Sequence, residues 1–189
     1  MSESGGICGI VLAAGAGTRF GGPKALARTA GGASWLALAV EALTDGGCDE
    51  VVVVVGAGAD AAAALVPSSA RMVIAADWEA GMSQSLRAGL DAARGARAVV
   101  VVPVDTPELP ASAVERVIAA ARIEDLSSAL VRARYDGRPG HPVLLGSVHW
   151  PALTAELVGD AGAGSFLDGR TVTDVECADL WSGRDLDRR

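Results

Sequence analysis

Along the first part of the chain, short runs of β-branched and small apolar residues alternate with stretches whose apolar positions recur at helical spacing. Residues 7–12 read as a strand, followed by a glycine-rich loop over 15–23. Residues 34–44 read as a helix capped by Ser34, with Trp35, Leu38 and Leu43 on a similar face. A continuous valine run over 51–55, bounded by Asp49-Glu50 and Gly56, lacks polar alternation, as strands buried on both faces of a parallel sheet do. A short helix over 59–66, a third strand over 71–75 and a helix over 83–93 follow, the last with Leu86 and Leu90 one turn apart. Residues 98–104 give the strongest strand signal in the chain. Pro110 then opens a helix with Val114, Val117, Ile118 and Ala121 in register.

The second part is less regular. Residues 128–134 and 142–145 read as two strands joined by the turn-rich segment Asp136-Gly137-Arg138-Pro139-Gly140. A helix over 150–157 and a last strand over 171–176 complete the pattern. No repeat and no linker interrupts it, so residues 1–189 read as one domain. Strands alternating with helices predict an α/β three-layer architecture around a mostly parallel sheet. Ligands of such sheets bind beyond the carboxyl ends of the strands, which directs attention to the loops after Leu12, Val55, Ala75 and Val104.

Composition narrows the function. The 189 residues are 50% hydrophobic and 21% charged, enough apolar surface to exclude a disordered tail. A formal net charge of −7 argues against nucleic acid as a partner, since a broad basic face is missing. A small polyanion stays open, held by metal ions, backbone N–H groups and a few placed cations. Cys8, Cys48 and Cys177 are dispersed and accompanied only by His141 and His149, a poor set for structural zinc. Their odd number suits a reducing compartment. With no basic n-region at the start and no apolar run near 20 residues, the expectation is a cytoplasmic protein with no membrane partner.

The first loop, Leu12-Ala13-Ala14-Gly15-Ala16-Gly17-Thr18-Arg19-Phe20-Gly21-Gly22-Pro23-Lys24, concentrates the chemistry. Glycines after a first strand let backbone N–H groups approach phosphate oxygens, and Arg19 and Lys24 add two cations. A P-loop is excluded because Pro23 precedes Lys24 and Ala25 follows it, removing the magnesium-binding hydroxyl. A dinucleotide fingerprint is disfavoured because Phe20 stands at the third glycine position. Gly56-Ala57-Gly58 also stands where a ribose-binding acid belongs, with Asp60 slightly beyond.

That loop resembles the signature of the MobA-like nucleotidyltransferases, and within them most resembles the molybdenum cofactor cytidylyltransferases. The resemblance continues through Gly81-Met82-Ser83-Gln84-Ser85-Leu86-Arg87-Ala88-Gly89-Leu90 and Val104-Asp105-Thr106-Pro107. Gly140-His141-Pro142-Val143-Leu144 and Gly159-Asp160-Ala161-Gly162-Ala163 extend it, all in the family's order. The resemblance implies a Rossmann-like nucleotidyltransferase fold and Mg²⁺-dependent transfer of a nucleoside monophosphate. It implies that Leu12, Ala13, Ala14, Gly15, Gly17 and Thr18 hold the nucleotide, and that Arg19 and Lys24 neutralise the α-phosphate and departing pyrophosphate. It further implies that Asp105 holds the metal and that Ser85 touches ribose or base. Two phosphates brought together repel, so positioning and charge neutralisation are what such a reaction needs.

Several assignments stay open at this level. Asp105 could instead be a helix-entry residue, and Ser85 a hydroxyl bonded within its own helix. His141 fits either an acceptor contact or a structural turn, and Asp160 either an N-cap or a metal or substrate contact. The chain departs from the family at Val104, which replaces a glycine, and at Pro103. Where the family tends to carry a longer acidic segment and a helix, it offers only Asp185-Leu186-Asp187 before Arg189. Metal binding by Asp185 or Asp187 requires that segment to fold back. The Ala13-Ala14-Gly15 opening resembles the branch using CTP, whose acceptor is molybdenum cofactor or another phosphate. Two alternatives accompany this: a non-catalytic carrier that delivers molybdenum cofactor to a molybdoenzyme, and an NAD(P)H-dependent oxidoreductase of the nicotine-blue type.

Overall fold

The computed structural model describes residues 5–123 and 125–187. Seven strands form one sheet: β1 (Ile7–Ala13), β2 (Glu50–Val55), β3 (Arg71–Ile74), β4 (Ala98–Pro103), β5 (Leu130–Tyr135), β6 (Arg138–Gly146) and β7 (Thr173–Glu176). Their order across the sheet is β3-β2-β1-β4-β6-β5-β7. Strands β3, β2, β1 and β4 run parallel, β6 is antiparallel to both neighbours, and β7 pairs parallel with β5. Six helices cover the sheet: α1 (Trp35–Asp45), α2 (Ala59–Ala63), α3 (Met82–Ala92), α4 (Ala111–Ala121), α5 (Trp150–Glu156) and α6 (Ala163–Leu167). This is the α/β three-layer architecture around a mostly parallel sheet that the alternation of strands and helices predicts.

The valine runs explain the layering. Side chains on a strand alternate between faces, so Val51, Val53 and Val55 enter one apolar cluster while Val52 and Val54 enter the other. In β4, Val100 and Val102 join the first and Val99 and Val101 the second. The first cluster is closed by Leu36, Val40 and Leu43 of α1 and by Val114 and Val117 of α4. The second is closed by Leu86 and Leu90 of α3 with Leu153, Phe166 and Leu167. Each fully buried branched side chain contributes about 1.5–3 kcal/mol, so these two slabs dominate the stabilisation of the parallel half.

Several expected boundaries move. The strand expected over 142–145 runs from Arg138 to Gly146, and the turn is only Asp136-Gly137. Both turn residues have positive φ, 51° and 76°, as a two-residue hairpin requires. Pro139 and Pro142 obscured this strand, yet they cost few ladder bonds. The β5–β6 register shifts between Arg132 and Arg134, and β4 pairs with β6 only over Val143–Gly146. The helix over 59–66 shortens to α2, the strand over 171–176 starts at Thr173, and the helix that Asp160 could have capped starts at Ala163 as α6. Ser34 occupies the N-cap of α1, but its buried hydroxyl finds no partner among the described residues and does not cap. Among the described residues no helix is long and apolar enough to cross a membrane.

Candidate functional site

The chain leaves β1 to pair β2 on one side and later returns to pair β4 on the other, so the strand order reverses between β1 and β4. A crevice opens at such a reversal, outside the carboxyl ends of the strands. Here it is a cleft of about 560 Å³. The loop after β1, the loop after β4, the start of α3, the start of β6 and the C-terminal segment all reach it. The site residues that the resemblance implies line this cleft: Leu12, Ala13, Ala14, Gly15, Gly17, Thr18, Arg19, Lys24, Ser85 and Asp105, with His141 and Asp160. A smaller hollow of about 290 Å³, lined by Gly5, Asp49, Arg97 and Arg122 among others, contains none of them.

The glycine loop is held by its own backbone. The amides of Phe20, Gly21 and Gly22 all donate to the Gly17 carbonyl oxygen, at 2.9, 2.9 and 3.1 Å. Gly17 has φ of 60°, and a Cβ there would stand 2.0 Å from the Gly22 carbonyl oxygen, so only glycine fits. Phe20, which occupies the third glycine position of a dinucleotide loop, anchors the turn by packing on Trp35 with centroids 5.1 Å apart. Pro23 then starts a single 3₁₀ turn over Lys24–Leu26, which turns Lys24 into the cleft above a fully buried Ala25. Arg19 and Thr18 stand exposed at the cleft mouth.

Lys24 is the electrostatic centre. Its Nζ donates to Asp105 Oδ2 at 2.7 Å and to Asp187 Oδ1 at 2.8 Å, with only 15% of its side chain exposed. Burial opposes its charge, but the hydrogen bonds and charges of Asp105 and Asp187 outweigh that and hold its pKa above the ordinary lysine value. Asp105 stands two residues past β4, well before α4, whose N-cap is Pro110, so helix entry does not account for it. Its second oxygen, Oδ1, is buried and finds no hydrogen-bond partner among the described residues. A buried carboxylate oxygen with a spare lone pair is costly unless something cationic meets it. One carboxylate oxygen each from Asp105, Asp185 and Asp187 lie within 4.8 Å of one another, a donor set of hard oxygens that suits a divalent cation.

The C-terminal segment therefore does fold back, without a helix, and Leu186 N donates to the Asp105 carbonyl oxygen at 2.8 Å. Val104, in place of the family's glycine, donates its N–H to Leu12 O at 3.0 Å and buries its side chain in the first apolar cluster. Ser85 is buried on the cleft face of α3. Gly81 lets the segment 159–160 close on the start of that helix, since a Cβ there would stand 2.4 Å from Gly159 O. Asp160 does not cap α6, whose N-cap is Gly162 with no side-chain bond. Burial depresses the His141 pKa against the opposing Val101 backbone and the charges of Asp105 and Asp185, which favours a neutral ring at the cleft wall.

Arg87, His149 and Trp150 belong to the framework. Arg87 donates to Leu157 O at 2.8 Å, His149 bonds Ser128 O, and Trp150 Nε1 donates to Leu145 O. The three cysteines are free thiols, and burial pushes Cys8 and Cys48 up to about 12, which removes them from nucleophilic chemistry. Sequence reasoning missed Trp78, Glu79 and Met82, which line the cleft. Trp78 had no motif to mark it. Its position follows from Gly56, where a Cβ would stand 2.5 Å from the indole Cγ.

Residues 9–175 match the MobA-like NTP transferase domain. The chain belongs to that family. Its members include a relative 38% identical over 96% of this chain and 92% of its own length, the nicotine blue oxidoreductase of Paenarthrobacter nicotinovorans. The crystal structure of Rv0371c from Mycobacterium tuberculosis H37Rv shares the fold, with a TM-score of 0.82 and 24% identity over 98% of this chain and 95% of that one. A manganese complex of the same protein matches at 0.72 and 23%, covering 91% and 88%. A nucleotidyl transferase from Methanothermobacter thermautotrophicus also shares the fold at 0.72 and 24%, covering 91% and 87%.

Proposed function

We propose that this family member is a divalent-metal-dependent nucleotidyltransferase that moves CMP from CTP onto a phosphate acceptor and releases pyrophosphate. The acceptor we assign is molybdopterin of the molybdenum cofactor, and the ion Mg²⁺. The observation that carries the reading is the convergence of Asp105, Asp185 and Asp187 beside Lys24 at the end of the glycine loop. The unpartnered, buried Asp105 Oδ1 supports a resident cation there. When bound, that ion supplies positive charge to phosphate oxygens at the reacting centre.

The chain's own residues do the remainder. The glycine loop holds the triphosphate along the cleft, and Ala13-Ala14 and Ser85 border its inner wall. An oxygen of the acceptor phosphate attacks the α-phosphorus, the bond to the bridging oxygen of the β-phosphate breaks, and pyrophosphate leaves with that electron pair. Lys24 meets the charge that gathers on the α-phosphate, and Arg19 the charge on the departing pyrophosphate. His141 and Asp160, which also line the cleft, are the contacts we assign to the acceptor. The preference for CTP rests on the resemblance of Ala13-Ala14-Gly15 to the cytidylyltransferase branch. Three free buried thiols accord with a reducing cytoplasm.

The 38% identity to a nicotine blue oxidoreductase favours a second reading, NAD(P)H-dependent reduction at the same loop. Hydride transfer leaves the three carboxylates without a task. Incubation with CTP, Mg²⁺ and molybdopterin, following pyrophosphate release and NADPH absorbance in parallel, separates the two. Pyrophosphate release that requires acceptor and Mg²⁺ is expected. NADPH oxidation with a quinoid dye and no pyrophosphate would replace the proposal, and acceptor binding without turnover would point to a carrier.

A further inference from the structure

Of the three carboxylates, Asp105 is fixed at a strand end, whereas Asp185 and Asp187 belong to the segment after β7. Lys24 pairs with Asp187 near the end of that segment, and one aromatic side chain braces it further back. Tyr135, at the end of β5, is buried, and its ring stands between two glycines. A Cβ on Gly140 would lie 2.7 Å from Tyr135 Cδ2, and a Cβ on Gly183 would lie 2.3 Å from the same ring. Gly183 also has φ of 71°, so both its conformation and its space are reserved for glycine. Trp181 packs edge-on against Tyr135, with centroids 5.4 Å apart and an interplanar angle of 81°, a favoured aromatic geometry. The Tyr135 hydroxyl donates to the His141 carbonyl oxygen at 2.6 Å.

One ring therefore sets the register of two cleft elements, the His141 strand and the returning segment. The segment's root is fixed separately: Arg116 of α4 forks onto Asp179 at 2.6 and 2.8 Å and donates to Glu176 O at 2.9 Å. Between Gly183 and the cleft the described backbone bond is Leu186 N to Asp105 O. The ring contacts at Trp181 and Gly183 thus help to place Asp185 and Asp187, together with the Lys24–Asp187 ion pair.

We infer that Tyr135 and Trp181 are positioning residues for the divalent-cation site, clasping residues 177–187 so that Asp185 and Asp187 meet Asp105. The inference rests on the metal reading proposed above. A preorganised donor set loses affinity when its supports are removed, typically by about 10- to 100-fold. The glycine loop lies on a different part of the cleft wall and keeps its own hydrogen bonds.

Mn²⁺ binding, measured by loss of the free-ion electron paramagnetic resonance signal, tests this on the full chain. The set is wild type, Trp181→Ala, Trp181→Phe, Gly183→Val and Asp105→Asn, each with a melting curve and a metal-free CTP titration. Trp181→Ala and Gly183→Val should weaken Mn²⁺ binding about tenfold or more. Trp181→Phe should restore it to within about twofold, and metal-free CTP affinity should stay unchanged in all three. Gly183→Val removes no side chain and forces the segment away from the Tyr135 ring, so it decides the matter if Trp181→Ala does not fold. Wild-type Mn²⁺ affinity in both folded variants, alongside its loss in Asp105→Asn, would overturn the clasp while leaving the metal reading intact. Equal or absent binding by wild type and Asp105→Asn would overturn the metal reading, and the clasp with it.

Discussion

Strands β1 to β4 and strands β5 to β7 deliver residues to the same cleft by different physical means. In the parallel half, Val52, Val53, Val54, Val99, Val100 and Val102 are wholly buried, and the glycine loop and Asp105 are short continuations of strands that such packing fixes. In the other half the supporting contacts are more ionic: Arg132 and Arg134 share Asp174, and Arg116 holds Asp179. The acids held below their ordinary range, Asp125, Asp174, Glu176 and Asp179, all come after β4. Asp185 and Asp187 arrive at the end of this second half, on an extended segment. The lysine and one carboxylate of the site are thus built on apolar packing, and its remaining carboxylates on a clasp set in an ion-paired neighbourhood. Such a division lets the glycine loop stay rigid while the returning carboxylates depend on solution conditions.

The sharpest break of that comparison is Lys24→Ala, which strips the link between the halves. Transfer should fall by about 10²–10³-fold while CTP affinity changes by less than about threefold, because the charge met by Lys24 develops in the transition state. Steady-state kinetics with a direct CTP titration checks it; equal losses in both would assign Lys24 to ground-state binding. Next in size, Leu86→Ala should cost about 2–5 kcal/mol in denaturant unfolding, since this wholly buried side chain closes the second apolar cluster over the parallel strands.

The smallest effect is a difference between halves in acid. Burial raises the Asp174 pKa, but Arg132 and Arg134 overcome it, so the carboxyl titrates below its ordinary value. Backbone N–H donors, Ala178 first, lower Glu176, and the Arg116 hydrogen bond lowers Asp179. These groups bind fewer protons folded than unfolded. Their stabilisation is therefore complete above the unfolded carboxylate value of about 4 and is lost as pH falls through the folded values. Hydrogen exchange should show β7 and residues 177–187 losing protection below about pH 4 before β1, β2 and β4 do.

The same contrast governs what the sequence displayed. Valine runs without polar alternation announced β2 and β4, and the strand–glycine–lysine order announced the loop, because continuous burial and phosphate loops leave local patterns. The resemblance marked Asp105, Ser85, His141 and Asp160 by their motifs, and all four line the cleft. Strand β6 was shortened on paper by Pro139 and Pro142, whose missing N–H groups fall where the ladder is already irregular. Ser34 sits at the N-cap position, but its buried hydroxyl makes no hydrogen bond among the described residues. Trp78 and the Tyr135–Trp181 clasp left no trace in spacing, because they depend on glycines distant in sequence, Gly56 and Gly183, making room for a ring.

Calorimetric titration of CTP into wild type and Asp105→Asn, with and without Mg²⁺, tests the central claim most directly. The account predicts that Mg²⁺ strengthens CTP binding to wild type by about tenfold or more and has no effect on Asp105→Asn. Mg²⁺-independent CTP binding in both proteins, or NADPH binding with no CTP signal, would contradict it.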